Sequence, residues 1–139
     1  MRLFIPTIGT VLTLSQDWNF NLFNESRNYN VIEGLNLSQK GLDAAVDAYY
    51  EYRKTHAGRD EECIRLYNIA YNWSWNVTLP IDSELKVDRI YIRKGQGGFD
   101  SVSFWLTSTP HPLLSKVKGK KRFWAKLDDV NNMEVKDIE

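Results

Sequence analysis

Tyr67-Asn68-Ile69-Ala70-Tyr71-Asn72-Trp73-Ser74-Trp75-Asn76-Val77-Thr78-Leu79 is the stretch of sequence that decides the predicted fold. Its odd-numbered positions are large and apolar, and its even-numbered positions are small or polar. Because the side chains of a strand alternate between two faces, this period of two predicts one half-buried β-strand. At about 3.3 Å per residue the strand would be about 43 Å long. That exceeds the usual length, so we expect it to bend, as strands do in a small barrel or a strongly curved sheet.

Length and composition indicate an ordinary globular chain. The 139 residues fit a single domain, 1–139, with one hydrophobic core. Eighteen basic and eighteen acidic residues give zero net charge, which argues against a protein coated in positive potential and leaves local patches open. Cys63 is the one cysteine in the sequence, so no disulfide forms within the chain, and a reducing, cytoplasmic compartment fits best. No apolar run reaches the length of a membrane span, and the interrupted apolar residues 3–12 indicate mature chain, not a signal peptide.

The residues that precede the central stretch predict a hairpin followed by a helix. Residues 8–14 and 18–23 alternate in hydrophobicity and are separated by a short polar turn, which predicts two paired strands. Ser38 is a suitable N-cap, since its hydroxyl can accept a hydrogen bond from a first-turn amide. Apolar residues then recur at helical spacing, and Gly58 is a natural stop. The sequence therefore predicts the main helix at about residues 39–56.

Three further strands are predicted, and one segment is ambiguous. Residues 59–62 begin either a short second helix or the lead-in to the long strand. Residues 86–93 and 99–106 alternate around a glycine-rich loop and predict a hairpin. A last strand covers residues 122–127, and the mostly polar residues 128–139 predict a loose C-terminal tail.

The order of these elements gives the predicted fold class. We expect an α+β domain with a curved or barrel-like antiparallel sheet of about six strands. One main helix, at about residues 39–56, is inserted after the first hairpin. It would cover the sheet or close one end of it.

Motifs for catalysis, metal binding and cofactor binding are missing from the sequence. The two histidines, His56 and His111, lie far apart and have no cysteine or paired carboxylate at ligand spacing, so no metal site is predicted. Cys63 is interpreted as an inert residue at the edge of the core. The glycine-rich run 94–98 joins two strands and lacks the spacing of a phosphate-binding loop. No catalytic residue and no cofactor are predicted, although a site assembled only in three dimensions leaves an enzyme as the third hypothesis.

Two of the predicted strands share an unusual pattern of cations and aromatic rings on one side. The outward side of residues 89–93 is Arg, Tyr, Arg, and that of residues 122–126 is Arg, Trp, Lys. If the strands are neighbours, rings can stack nucleic-acid bases while the cations contact phosphates. The alternative is an ordinary solvent face, stabilised by cross-strand cation–π pairs. The predicted binding residues are Arg89, Tyr91, Arg93, Lys94, Trp105, Lys118, Lys120, Lys121, Arg122, Trp124 and Lys126.

Two functions therefore compete. The first is a non-catalytic small binding module that uses the basic–aromatic side of the sheet on a polyanion, in particular nucleic acid. The second is a protein–protein adaptor or inhibitor, including one encoded by a phage or other mobile element, that binds and blocks a host protein. Zero net charge counts against the first, because domains that follow a nucleic-acid backbone are usually basic.

Overall fold

The computed structural model describes residues 6–56, 60–93 and 99–137. The strands are β1 (Val11–Thr13), β2 (Trp18–Phe23), β3 (Ser74–Leu79), β4 (Glu84–Tyr91), β5 (Ser101–Ser108) and β6 (Arg122–Lys126). The α-helices are α1 (Tyr29–Gly34), α2 (Lys40–Thr55), α3 (Glu61–Tyr71) and α4 (Leu127–Val130). Short 3₁₀ turns at Ser26–Asn28 and Leu114–Lys116 precede α1 and β6.

The described strands form two antiparallel sheets. A four-stranded sheet has the order β1-β4-β5-β6, and β2 pairs with β3 in a separate two-stranded ribbon. The predicted α+β class is confirmed, and so is the β4–β5 hairpin. The six described strands are divided between these two sheets and form no closed barrel, so the expected curved sheet of about six strands is not confirmed. The predicted hairpin between the first two strands is also wrong, because β1 pairs with β4 and β2 pairs with β3.

The core lies between the inner faces of the two sheets. Trp18, Phe20 and Leu22 of the ribbon are at most 1% exposed. The ring of Trp18 packs on those of Phe104 and Phe123, and the ring of Phe20 packs on that of Phe123. The alternating pattern of β2 and β5 is the reason, since every second side chain of each strand points to the same side. This packing leaves the opposite face of the four-stranded sheet available for other roles.

The central stretch does not form one strand. Residues up to Tyr71 complete α3, and only Ser74–Leu79 form β3. Asp60 caps α3, because its Oδ1 accepts a hydrogen bond from the Cys63 amide at 2.8 Å. Of the two interpretations left open for this segment, the lead-in to a long strand is therefore wrong, because Asp60 caps a helix of eleven residues that begins at Glu61.

Helices α2 and α3 form an antiparallel hairpin that packs mainly on itself. The main helix is found within a residue of its predicted limits at each end, and the Ser38 hydroxyl accepts a hydrogen bond from the Lys40 amide at 3.3 Å. At the base of the hairpin Gly41 lies against Trp73. A Cβ atom at this position would come within 2.8 Å of the indole. The predicted stop at Gly58 lies outside the described residues.

The part of the predicted C-terminal tail from residue 128 to residue 135 is not loose. Residues 127–130 form α4, and the side chains of Val130, Met133 and Val135 are at most 1% exposed. Val135 also forms an antiparallel bridge with Leu14. The segment is mostly polar, which suggested a loose tail, but its three apolar side chains fill the end of the core.

Asn28 joins the ribbon to the edge of the four-stranded sheet. Its side chain is fully buried, its Nδ2 donates to the Phe23 carbonyl oxygen at 3.0 Å, and its Oδ1 accepts from the Trp124 amide at 2.9 Å. The amide of Trp124 belongs to β6, which is the edge strand. Asn28 Oδ1 therefore supplies the hydrogen-bond acceptor that a neighbouring strand would otherwise provide for the Trp124 amide.

Replacing Asn28 with Ala is expected to lower the free energy of unfolding by about 2–4 kcal/mol, since two buried backbone groups lose their partners. Asn30→Ala is a matched control, because Asn30 is exposed and its Nδ2 donates a single bond, to the Lys120 carbonyl oxygen. That control should cost less than about 1 kcal/mol. Equal losses in urea denaturation would contradict the bridging role of Asn28.

Candidate basic–aromatic binding face

The outer face of the four-stranded sheet carries three rows of side chains. The rows, from β4 through β5 to β6, are Lys86–Trp105–Arg122, Arg89–Ser103–Trp124 and Tyr91–Ser101–Lys126. Residues paired in this way point to the same side of the sheet and lie close enough to interact. We call this surface the basic–aromatic face. It brings together six of the predicted binding residues: Arg89, Tyr91, Trp105, Arg122, Trp124 and Lys126.

Trp105 is the half-buried ring at one end of the face. Lys120 Nζ lies 5.5 Å from the centroid of this ring, and Arg122 Cζ lies 5.6 Å from it. The Arg122 guanidinium also contacts Asp88, with Nη2 and Oδ2 2.8 Å apart, and Asp88 accepts a second bond from Ser103 Oγ at 3.0 Å. Arg122 is therefore held in place, whereas Lys120 contacts the ring and pairs with no carboxylate among the described residues.

Trp124 is buried, at 6% exposure, and this corrects the expectation that it is an exposed ring. Phe23 and Phe99 stack on it with centroid distances of 5.1 and 5.3 Å. Its Nε1 donates to Glu25 Oε2 at 2.7 Å. Trp124 does lie on the outer side of the sheet, but Phe23 at the end of β2 and Phe99 in the segment before β5 cover it. It supports the face from below and is not itself a stacking platform.

Lys126 covers the outer edge of this aromatic stack. Its Nζ lies 4.4 Å from the ring centroid of Phe99 and 4.9 Å from that of Phe23. Phe99 remains 38% exposed. A cation and an accessible ring are thus adjacent at this end of the face too.

Arginines surround Tyr91, which lies in the same end row of the face as Lys126. Arg27 Cζ lies 5.8 Å from the ring centroid of Tyr91 and the same distance from that of Trp124. A hydrogen bond with the Arg89 side chain lowers the pKa of the Tyr91 hydroxyl; partial burial opposes this, and the charges of Arg89, Arg27 and Arg122 add to it. The local potential is therefore positive enough to stabilise a negative charge.

Glu25 is one of the carboxylates on this face, and its charge is already satisfied. Burial alone would raise the pKa of Glu25, but the hydrogen bonds from Trp124 and Arg27, together with the Arg27 charge, lower it below its usual value. Arg27 Nε lies 3.0 Å from Glu25 Oε1. Neither Glu25 nor Asp88 is left to neutralise the outer cations.

The remaining predicted binding residues have different positions. Arg93 is exposed just beyond β4, where its amide donates to Asp100 Oδ1 at 2.8 Å. Lys118 is exposed in the loop before β6. Lys121 is half-buried, and its Nζ donates to the Val117 carbonyl oxygen at 3.2 Å, so its charge is directed into its own loop. Lys94 lies outside the described residues.

Sequence reasoning missed the contributions that come from outside the three strands. Phe23, Glu25 and Arg27 reach the face from the end of β2 and the turn after it, and Phe99 reaches it from the segment before β5. No local signal links these residues to β6, since Glu25 and Trp124 are separated by 99 positions. Lys86 could have been found, because it alternates with Val87 in β4.

The charge on the face differs from the neutral balance of the whole chain. Among the described residues, the face and its rim hold seven cations and four carboxylates. The cations are Arg27, Lys86, Arg89, Arg93, Lys120, Arg122 and Lys126, and the carboxylates are Glu25, Glu84, Asp88 and Asp100. A neutral protein thus presents a locally positive surface.

Neither metal nor membrane chemistry is indicated in the part of the chain that the structure describes. No group of three or more His, Cys, Asp or Glu side chains there is arranged to hold a metal ion. None of the helices in that part is both long and apolar enough to cross a bilayer. A scan against protein-family models, a search of curated proteins and a search of solved structures each found no significant match.

Proposed function

We propose that this protein is a non-catalytic module that binds single-stranded nucleic acid through the basic–aromatic face. One observation carries the proposal. Lys120 and Lys126 lie against the rings of Trp105 and Phe99, and neither lysine pairs with a carboxylate among the described residues. Phosphates of the ligand would form ion pairs with these lysines, and unpaired bases would stack on the rings that remain accessible.

The geometry favours a single strand over a duplex as the ligand. The accessible rings are Trp105 at one end of the face and Tyr91 and Phe99 at the other end, next to Lys126. Bases can reach such rings only when they are unstacked from a partner strand. The lone, buried Cys63 is consistent with action in a reducing compartment such as the cytoplasm.

The test of this proposal uses two adjacent lysines that point in different directions. Lys120→Met and Lys121→Met each remove one charge and keep most of the aliphatic stem. Binding of a fluorescent oligonucleotide of about 15 nucleotides would be followed by anisotropy over a range of salt concentrations. Lys120→Met is expected to weaken binding and to reduce the salt slope by about 0.7, the value for one phosphate contact on a single strand. Lys121→Met should change neither, because its charge is directed to Val117.

Trp105→Ala tests the stacking part of the proposal. Loss of the ring is expected to weaken binding by about 1–3 kcal/mol, and Trp105→Phe should restore much of it. A duplex of equal length should bind more weakly than the single strand. Equal binding of the duplex and the single strand would show that electrostatic attraction acts without base stacking and would contradict the stacking part of the proposal. No salt-dependent binding at all, or equal effects of the two lysine variants, would contradict the proposed function.

The adaptor hypothesis makes a different prediction in the same experiments. A protein partner on this face would be captured after nuclease treatment, and Lys120→Met would mainly slow its association. Trp105→Ala would then weaken protein binding while oligonucleotides fail to bind.

A further inference from the structure

The helical hairpin is incompletely buried. Among the described residues of α2 and α3, Tyr49, Cys63 and Ala70 are the buried side chains. By contrast, Tyr50, Ile64, Tyr67 and Tyr71 are 46–50% exposed. Two helices packed side by side cannot cover both of their flanks, so an apolar flank usually acquires a further partner.

These exposed residues share one side of the hairpin, which we call the tyrosine face: Tyr50, Ile64, Tyr67 and Tyr71. The hydroxyl oxygens of Tyr50 and Tyr71 are 3.1 Å apart, and the rings of Tyr67 and Tyr71 stack with centroids 4.5 Å apart. Ile64 precedes Tyr67 by three positions and therefore continues the same stripe on α3. Ile69, which is 41% exposed, lies on the opposite flank of that helix.

The stripe of α2 beside the tyrosine face carries acidic residues toward one end and a lysine at the other, so it is complementary in charge to an antiparallel second copy. Asp43, Asp47, Tyr50 and Lys54 follow one another at intervals of four, three and four residues, so they form one straight stripe. The midpoint between Asp43 and Lys54 along the helix is also the midpoint between Asp47 and Tyr50. An antiparallel copy of α2 would therefore place each Asp43 opposite a Lys54 and each Asp47 beside a Tyr50.

The charged groups of the stripe are available for such a contact. Asp43 and Asp47 form no ion pair among the described residues. Lys54 pairs with Glu51 at 3.1 Å, but both side chains are more than 70% exposed. Exposed pairs of this kind contribute little, so Lys54 can exchange Glu51 for another carboxylate.

We propose that the tyrosine face is a homodimer interface in which two copies of the hairpin pack antiparallel, with Asp43 of each opposite Lys54 of the other. The contact would be isologous, so each charged pair occurs twice around a two-fold axis. This inference does not depend on the nucleic-acid proposal, because it concerns the hairpin and not the sheet.

The size of the face indicates a reversible dimer. Sixteen residues of α-helix are about 24 Å long, and two helices are about 20 Å wide. The contact would thus lie near the lower limit of specific interfaces, with a dissociation constant of about 1–100 µM.

Sedimentation equilibrium with the full chain tests the proposal, at about 1–300 µM protein and about 50 mM salt, where charge effects are weakly screened. The wild-type protein is expected to dimerise. Asp43→Lys and Lys54→Asp should each weaken dimerisation at least about tenfold, since each places like charges opposite one another twice. The double variant should recover to within about threefold, and an equimolar mixture of the two single variants should form heterodimers.

A pair of isoleucine variants tests the apolar part of the same interface. Ile64→Ser should weaken dimerisation at least about tenfold, whereas Ile69→Ser, on the opposite flank of the same helix, should leave it unchanged. Circular dichroism and thermal melts would confirm that all variants fold. A wild-type monomer at the highest concentration overturns the proposal. The proposal is also overturned if dimerisation is not restored in the double variant. It is overturned as well if Ile69→Ser disrupts the dimer and Ile64→Ser does not.

Discussion

Replacing Trp18 with Ala is expected to lower the free energy of unfolding by about 3–5 kcal/mol, the largest loss for any single side chain in this protein. Trp18 is 1% exposed and lies where the two sheets meet. Its ring stacks on Phe20 at a centroid distance of 4.2 Å and contacts the edge of Phe104 at 6.0 Å. Its Nε1 donates to the Asp129 carbonyl oxygen at 2.9 Å, so the substitution also removes a tie to α4.

Trp105→Ala is the matched control for Trp18→Ala in urea denaturation. It removes the same side chain from the outer face of the four-stranded sheet, where the indole is only half-buried. The expected loss is less than half of that at Trp18, because less apolar area returns to water. Similar losses at the two positions would mean that the inner and outer faces of the sheet have been confused.

Replacing Trp124 with Ala is expected to cost about 3–4 kcal/mol of stability, the second large effect. The sequence alone places Trp124 on the outward side of its strand, where loss of an exposed ring would barely change the melting temperature. The structure changes that expectation because Phe23 and Phe99 both stack on the ring and Glu25 accepts a hydrogen bond from its N–H. A melting temperature close to that of the wild type would show that Trp124 is exposed after all.

Trp124→Phe separates stacking from the hydrogen bond to Glu25. A phenyl ring keeps most of the contact with Phe23 and Phe99, so a smaller loss of about 1–2 kcal/mol is expected. Without the indole donor the pKa of Glu25 should rise toward its usual value. A carboxyl group with a lowered pKa stabilises the fold above its unfolded pKa and loses this contribution as the pH falls through the folded pKa. The stability gap between wild type and Trp124→Phe should therefore narrow in acid.

The strands whose partners are near in sequence were predictable. β4 and β5 are joined by a short connection, and their alternating residues, such as Val87 and Phe104, face the core as the pattern indicated. The outward rows of the basic–aromatic face follow from the same alternation. β1 was predictable as a strand but not in its pairing, since its partner β4 lies about 70 residues later.

The prediction of one long strand over residues 67–79 is wrong because the alternation of apolar and polar residues continues across the end of α3. Tyr67, Ile69 and Tyr71 alternate with polar or small residues, yet they belong to the last turns of α3. A competing signal was present in the sequence. Asp60 is a good N-cap followed by two acidic residues, and Cys63, Leu66 and Ala70 follow at helical spacing. Because one flank of the hairpin is exposed, large apolar residues occur on it as well, and hydrophobicity no longer identifies the buried side.

The cover over Trp124 could not be predicted, because it depends on where chain segments meet in three dimensions. Phe23 lies at the end of the ribbon, and β2 of the ribbon contacts β6, which is about 100 residues away in sequence. Composition and alternation describe which side a residue takes within its own strand. They carry no information on which distant segment will lie over it.

The insertion of the helical hairpin between the two strands of the ribbon has a consequence for how quickly the protein folds. Phe23 pairs with Ser74, so the ribbon closes a loop of about fifty residues. The hairpin lies inside this loop, and its base is tied by Trp75 Nε1, which donates to the Ser38 carbonyl oxygen at 3.0 Å. Helical contacts are local and form early, so a formed hairpin brings the two ends of the loop together before the strands meet. Early formation of the exposed α2–α3 hairpin is therefore expected to speed the pairing of the buried strands β2 and β3.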